Sequence, residues 1–189
     1  MIVALAELDA AALEELAHVT LASAVTHTDV WLTDLVRARE ELADALAPAK
    51  TALALIDGHA PIAWVAAGPD WGRIWELHPL IVAVDHQRRG HGLRLVRAVE
   101  DIARAAGALT MLLGTSDTSN ATSLSNVDLY DHTGTRLEAM TENAPHAVGF
   151  WRRAGYSIVD VLPDRVVVPA VGVAGVARND GAICASPHT

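Results

Sequence analysis

The sequence predicts a mixed α/β fold with one sheet. Three observations predict it. Short apolar runs bounded by turn residues read as strands. The stretch from Gly92 to Ala106 carries its apolar residues at helical spacing. The two kinds of segment alternate along the chain instead of separating into blocks. At 189 residues the chain can bury one core and is short for two. One domain is expected over residues 1–177, followed by a loose tail over 178–189.

Residues 1–6 form a short apolar strand, and Asp9 then caps a helix with Leu13, Leu16, Ala17 and Leu21 on one face. A loop through Thr26, His27, Thr28, Asp29 and Trp31 leads to Thr33 or Asp34, the cap of a second amphipathic helix that ends near Leu46 before Pro48. Residues 51–56 and 61–67 flank Asp57-Gly58, a pair that tolerates the positive φ of a tight hairpin. Residues 73–84 make a third long strand. The helix over 92–106 has Leu95, Val96, Val99, Ile102 and Ala103 on its apolar face and Gly107 as its left-handed stop. A strand over 109–113 follows, then an ambiguous segment 124–142 that turns helical in its second half. A short helix over 145–154 ends at Gly155, and two strands, 156–162 and 166–177, complete the order, the last weakened by Gly172 and Gly175.

The 14 basic and 23 acidic side chains leave a formal charge of −9, which repels nucleic acid. The same charge serves solubility or attracts a polycationic amine. No apolar stretch is long enough to cross a bilayer. The start lacks the basic flank and cleavage pattern of a secretory signal. Cys184, the single cysteine, forms no internal disulfide, so cytoplasm is the expected location. No pair of histidines has zinc-ligand spacing. His86, His91, His132 and His146 read as ordinary loop or surface residues, and no metal is expected.

Gln87-Arg88-Arg89-Gly90-His91-Gly92, continuing into Leu93 and Arg94, joins a strand to the strongest helix. Backbone N–H groups and the positive helix end meet there, which suits an anion. Gly90 and Gly92 allow close backbone approach, and Arg88 and Arg89 add charge. The segment lacks the Gly-Lys-Ser/Thr of a nucleotide-hydrolysing loop and the three-glycine spacing of a dinucleotide turn. In the strand before it, Glu76 and His78 are two apart and share a face, while Pro79 removes a ladder donor and suggests a bulge.

Gln-x-x-Gly-x-Gly in this position resembles the pyrophosphate loop of the GNAT acetyltransferases. Trp75-Glu76-Leu77-His78-Pro79-Leu80 resembles the matching strand of the aminoglycoside 6′-N-acetyltransferases among them. The similarity continues through Leu112-Leu113-Gly114-Thr115, Thr122-Ser123-Leu124-Ser125, Asp128-Leu129-Tyr130 and Gly155-Tyr156, and covers about three quarters of the chain. The resemblance implies a GNAT fold, a single mixed, mostly antiparallel sheet flanked by helices with splayed central strands, and acetyl-CoA as cosubstrate, bound by Leu80, Ile81, Val82 and residues 87–94. It implies that the Leu80 N–H stabilises the oxyanion and that Glu76 takes the ammonium proton, with His78 supporting it. Trp31, Trp71, Glu76 and Asp117 are the candidate residues of the amine pocket. A homodimer and a role in antibiotic resistance follow from the resemblance alone.

Two departures stand out. The segment Gly114–Asn120 carries fewer aspartates than the family's loop, which implies a weaker grip on a polycation. Trp151 occupies the position of the tyrosine that protonates the departing thiolate, and an indole N–H is a poor acid beside a phenol. The expected activity is acetyl transfer to an aminoglycoside 6′-amine. The alternatives are a GNAT enzyme for another small amine or polyamine, and a catalytically weak binder of coenzyme A or aminoglycoside.

Overall fold

The computed structural model describes residues 1–27, 32–117, 120–125, 127–128, 133–162 and 181–187. In chain order the elements are β1 (Ile2–Ala4), a 3-10 turn (Leu5–Glu7), α1 (Ala10–His27), α2 (Leu35–Ala45), β2 (Thr51–Asp57), β3 (Ala60–Trp71), β4 (Ile74–Val82) and a second 3-10 turn (Val84–His86). There follow α3 (His91–Ala105), β5 (Thr110–Ser116), α4 (Thr133–Glu138), α5 (Ala147–Ala154), β6 (Ser157–Leu162) and β7 (Gly181–Pro187). Residues Met1–Met111, with the last residues from Pro187, make one compact unit, and Leu112–Ser186 make another. Among the described residues no helix is long and apolar enough to cross a membrane.

In the first unit the expected caps hold both N-terminal helices. Asp9 accepts from the Ala12 N–H at 2.8 Å, and Asp34 from the Arg37 N–H at 3.0 Å. Strands β1 to β4 pair antiparallel in sequence order. The Asp57–Gly58 turn closes the β2–β3 hairpin with Gly58 at φ 60°. One face of this sheet packs on α1 and α2 through Leu16, Leu42, Ala54, Trp64 and Ile81. Trp64 is fully buried, and burial of such a ring stabilises the fold by up to about 5 kcal/mol. Its indole N–H would be expensive to bury alone. It donates to Thr20 Oγ1 at 2.8 Å, and Thr20 donates in turn to the Leu16 carbonyl at 2.7 Å. Helix α3 packs against β2, β3 and β4 with Leu95, Val96, Val99 and Ala103 fully buried.

The β3–β4 register slips where Pro79 removes a donor. Val65 faces Leu80 and Ala67 faces Leu77, so β4 carries one more residue than β3 across that interval, opposite Ala66. The expected bulge is therefore present at His78-Pro79. β3 runs four residues beyond its expected end at Ala67, and β5 runs to Ser116.

In the second unit, Leu124, Met140 and Val148 form a small core with Leu137 and Ile158 packed against it. Thr122 and Glu142 form an isolated antiparallel bridge. Helix α5 ends at Gly155 with φ 97°, the left-handed stop expected there. One expectation is corrected. Gly181–Pro187 falls in the expected loose tail but forms β7, antiparallel to β6, with Ser157 opposite Ala185 and Leu162 opposite Gly181. Strand backbone needs paired N–H and C=O groups, and β7 supplies them between β5 and β6. The strand expected over 166–177 lies outside the described residues.

Candidate active site

Glu76 pairs with Gly68, and Ile81 with Trp64. Trp64, Ala66 and Gly68 alternate along β3, so Glu76 projects on the face that α1 and α2 cover. Past the end of α2 that face opens into a cleft of about 130 Å3, lined by Lys50, Pro69, Asp70, Glu76 and His78. Its floor is backbone. A Cβ on Gly68 would lie 3.0 Å from the Ala49 carbonyl oxygen and 3.2 Å from Lys50 Cγ, so glycine lets the chain between α2 and β2 pass close. Lys50 is held by Asp44, and His78 Nε2 lies 3.6 Å from a Glu41 oxygen. Two lining carboxylates, Asp70 and Glu76, stand against one lining lysine, and Lys50 is already paired with Asp44, which suits a cationic ligand.

The backbone of β4 has an orientation that can be read from its end. The Ala83 N–H donates to the Ile62 carbonyl at 2.8 Å, so Ala83 turns towards β3. Alternation turns Ile81 the same way and turns Leu80 and Val82 away from β3. The Val82 carbonyl accordingly accepts from side chains, Ser23 Oγ at 2.7 Å and Gln87 Nε2 at 3.1 Å. The Leu80 N–H lies on the same edge of the strand.

Beyond the second 3-10 turn, Arg88 at φ 62° and Gly90 at φ 84° bend the chain into α3. Gly90 occupies the N-cap and has no side chain to donate or accept, and the first helical bond is from the Arg94 N–H to the Gly90 carbonyl at 3.0 Å. The N–H groups of His91, Gly92 and Leu93 precede that bond at the positive end of the helix. Arg88 and Arg89 are exposed beside them. Gln87 has partners within the fold. Its side chain turns inward onto Val82 and Ser23, with Ser23 Oγ at 3.4 Å, so its contribution to the loop is internal.

The other expected site residues have these surroundings. Trp71 is 78% exposed and lines a separate open depression with Arg73, Ile74 and Leu109, outside the Glu76 cleft. Asp117 is buried and its carboxylate is occupied by its own loop. It accepts from the Ala121 and Thr122 N–H groups and the Thr122 hydroxyl at 2.7 to 2.8 Å, and from the Ser125 hydroxyl. Burial raises its pKa, but these hydrogen bonds, those from Ser125 and Thr122 foremost, hold it below the ordinary carboxylate value. Trp151 is 7% exposed and packs edge-on against Phe150 and Tyr156 at 4.9 and 5.2 Å between centroids, so it is a wall of an aromatic cluster. Trp31 lies outside the described residues. His146, taken for an ordinary loop residue, is a buried cap. Its Nδ1 accepts from the Val148 N–H at 3.2 Å, and its Nε2 lies 3.8 Å from Asp117. Pro145 beside it hid the cap, since proline is favoured at the first helical position and so points to a helix that starts at Pro145 itself. Among the described residues no group of His, Cys, Asp and Glu side chains could hold a metal ion.

A bulged strand whose Leu80 amide turns away from β3, followed by a helix start without a side-chain cap and beside two exposed arginines, suits a phosphate-bearing ligand. Residues 16–134 match the Acetyltransferase (GNAT) family, and the chain belongs to it. It is an acetyl-CoA-dependent acetyltransferase. Among solved structures it is similar to an aminoglycoside 6′-N-acetyltransferase complexed with coenzyme A, at 26% identity and a TM-score of 0.83, over 99% of this chain and 96% of the other. The aminoglycoside 6′-N-acetyltransferase from Enterococcus faecium is similar at 26% identity and a TM-score of 0.82, with the same coverage. An aminoglycoside 6′-acetyltransferase type Ii shares the fold at 21% identity and a TM-score of 0.68, over 99% of this chain and 96% of that one. No curated protein matches the sequence.

Proposed function

We propose that the chain acetylates the 6′-amine of an aminoglycoside by direct attack on acetyl-CoA in a ternary complex. The observation that carries this reading is the cleft lined by Asp70 and Glu76, with Glu76 on the strand that also bears the Leu80 amide. The near-full-length similarity to two aminoglycoside 6′-N-acetyltransferases supports the substrate class. Glu76 accepts the ammonium proton, directly or through water, because only the neutral amine attacks the thioester. The nitrogen lone pair forms the C–N bond, and the Leu80 N–H stabilises the developing oxyanion. Collapse breaks the C–S bond and expels the coenzyme thiolate, and the excess proton on the new amide nitrogen passes to water or to that thiolate. The N–H groups of residues 91–93, with Arg88 and Arg89, hold the pyrophosphate. Trp151 replaces a tyrosine acid, so the thiolate leaves without a phenolic proton.

A second reading, acetylation of another small amine or a polyamine, is favoured by Asp117, whose carboxylate faces its own loop instead of a ligand. Incubation with acetyl-CoA and a panel of amines, followed by free-thiol release and product mass, separates the two. A kanamycin-type substrate should gain one acetyl group, at the 6′ position. Acetylation of polyamines alone would replace the first reading with the second. Resistance is tested by expression in a susceptible bacterium, where the inhibitory concentration of the acetylated drug should rise, and the homodimer by light scattering.

A further inference from the structure

We propose that Ser23, on α1, is a positioning residue for coenzyme binding, acting through Val82 and Gln87. Ser23 is buried at 4% exposure, and its hydroxyl donates to the Val82 carbonyl at 2.7 Å across 59 residues of sequence. Gln87 Nε2 donates to the same carbonyl at 3.1 Å and to Ser23 Oγ at 3.4 Å. Only the amide nitrogen can face a carbonyl in this way, so the orientation of Gln87 is determined. Three segments thus meet at one oxygen: α1, the last residue of β4, and the first residue of the bend into α3.

The consequence for the coenzyme site is geometric. Val82 lies two residues beyond Leu80 on the same strand edge, about 7 Å along it. Gln87 lies three residues before Gly90, whose φ of 84° sets the direction of the helix start. A carbonyl with both lone pairs engaged fixes the end of the strand, and the second donor fixes the start of the loop. Removing the Ser23 hydroxyl leaves the Val82 carbonyl one donor short and Gln87 without its second acceptor. The loop then samples orientations in which its N–H groups no longer converge on one phosphate group. Ser23 itself needs no contact with coenzyme.

The test is calorimetric titration of the full-length protein and its Ser23→Ala, Gln87→Ala and double variants with coenzyme A alone, so the amine substrate does not enter. Each single variant should weaken binding about tenfold, which corresponds to about 1.4 kcal/mol. The double variant should fall well short of the product of the two, because both remove one unit. The control is Thr20→Val. It removes a buried hydroxyl three residues earlier on the same helix that serves Leu16 and Trp64. It should lower the melting temperature and leave the coenzyme Kd unchanged. The proposal is overturned by an unchanged Kd in Ser23→Ala, by full multiplicativity of the two variants, or by an equal loss of affinity in Thr20→Val. If Ser23→Ala does not fold, Ser23→Thr, which keeps the hydroxyl, and Ser23→Cys, which replaces it with a weak donor, decide instead: the coenzyme Kd should hold in the first and rise in the second, and equal affinities overturn the proposal.

Discussion

Glu76→Gln keeps the volume and the hydrogen-bonding reach of the side chain and removes its capacity to take a proton. A primary ammonium with a lysine-like pKa of about 10.4 is neutral in about one molecule in 2,500 at pH 7. A positioned base generally contributes about 10² to 10⁴ in rate. Glu76 is exposed, so water reaches the amine in the variant and recovers part of the loss. The expected fall in kcat/KM for the amine is therefore about 100- to 1,000-fold at pH 7. Each unit of pH multiplies the neutral fraction of the amine by about ten. The deficit should accordingly shrink to about tenfold or less by about pH 9. Initial rates of thiol release, with acetyl-CoA saturating and the amine varied from about pH 6.5 to 9.5, measure both quantities. A variant within about twofold of the parent at pH 7 refutes the assignment of Glu76 as base. A large deficit that does not change with pH refutes proton transfer and leaves Glu76 as a binding group.

Gly90→Val forces a β-branched residue to φ 84°, strained by about 1–2 kcal/mol; coenzyme A affinity measured by titration should fall about tenfold while the amine KM is unchanged. Trp151→Tyr restores a phenol but removes ring volume from the Phe150–Tyr156 cluster. Turnover should hold or rise while the melting temperature falls by several degrees, and a slower enzyme would contradict the account given for the thiolate. Asp117→Asn should destabilise the fold at pH 7 by about 2 kcal/mol in urea titrations, because an amide cannot satisfy two backbone donors and two hydroxyls together. The folded Asp117 pKa lies below its ordinary value, so this stability is fully present above about pH 4 and is lost as pH falls through the folded pKa. The gap between parent and variant should close in acid.

Element order was readable where periodicity and caps agreed. Asp9, Asp34, Asp57-Gly58 and Gly155 each stand where local chemistry puts them, and Pro79 betrays the slip in register. The candidate site was readable in part for the same reason, since a Gly-x-Gly turn before a strong helix has a local cause. What escaped depends on partners that only the folded chain brings together, whether near or distant in sequence. Gln87 looks like a ligand contact until Ser23 is brought 64 positions back to meet it. Asp117 looks like a free carboxylate until Thr122 and Ser125 fold onto it. Trp151 carries no mark in sequence that separates a buried wall from an exposed aromatic. β7 was missed because glycine- and alanine-rich segments contrast weakly with loops, and pairing with β6 decides the matter.

The cleft beside Glu76 has two kinds of boundary. Its floor, where Gly68 meets the Ala49 carbonyl, is main chain and has no rotamers to change. Its rim is made of side chains, Lys50, Asp70 and His78 among them, each able to change by a single codon without moving the sheet. Depth is thus a fixed gauge and charge an adjustable one. If the amine enters here, as proposed, a population under changing selection would shift its preference among amines by rewriting the rim, and would keep admitting groups of one thickness.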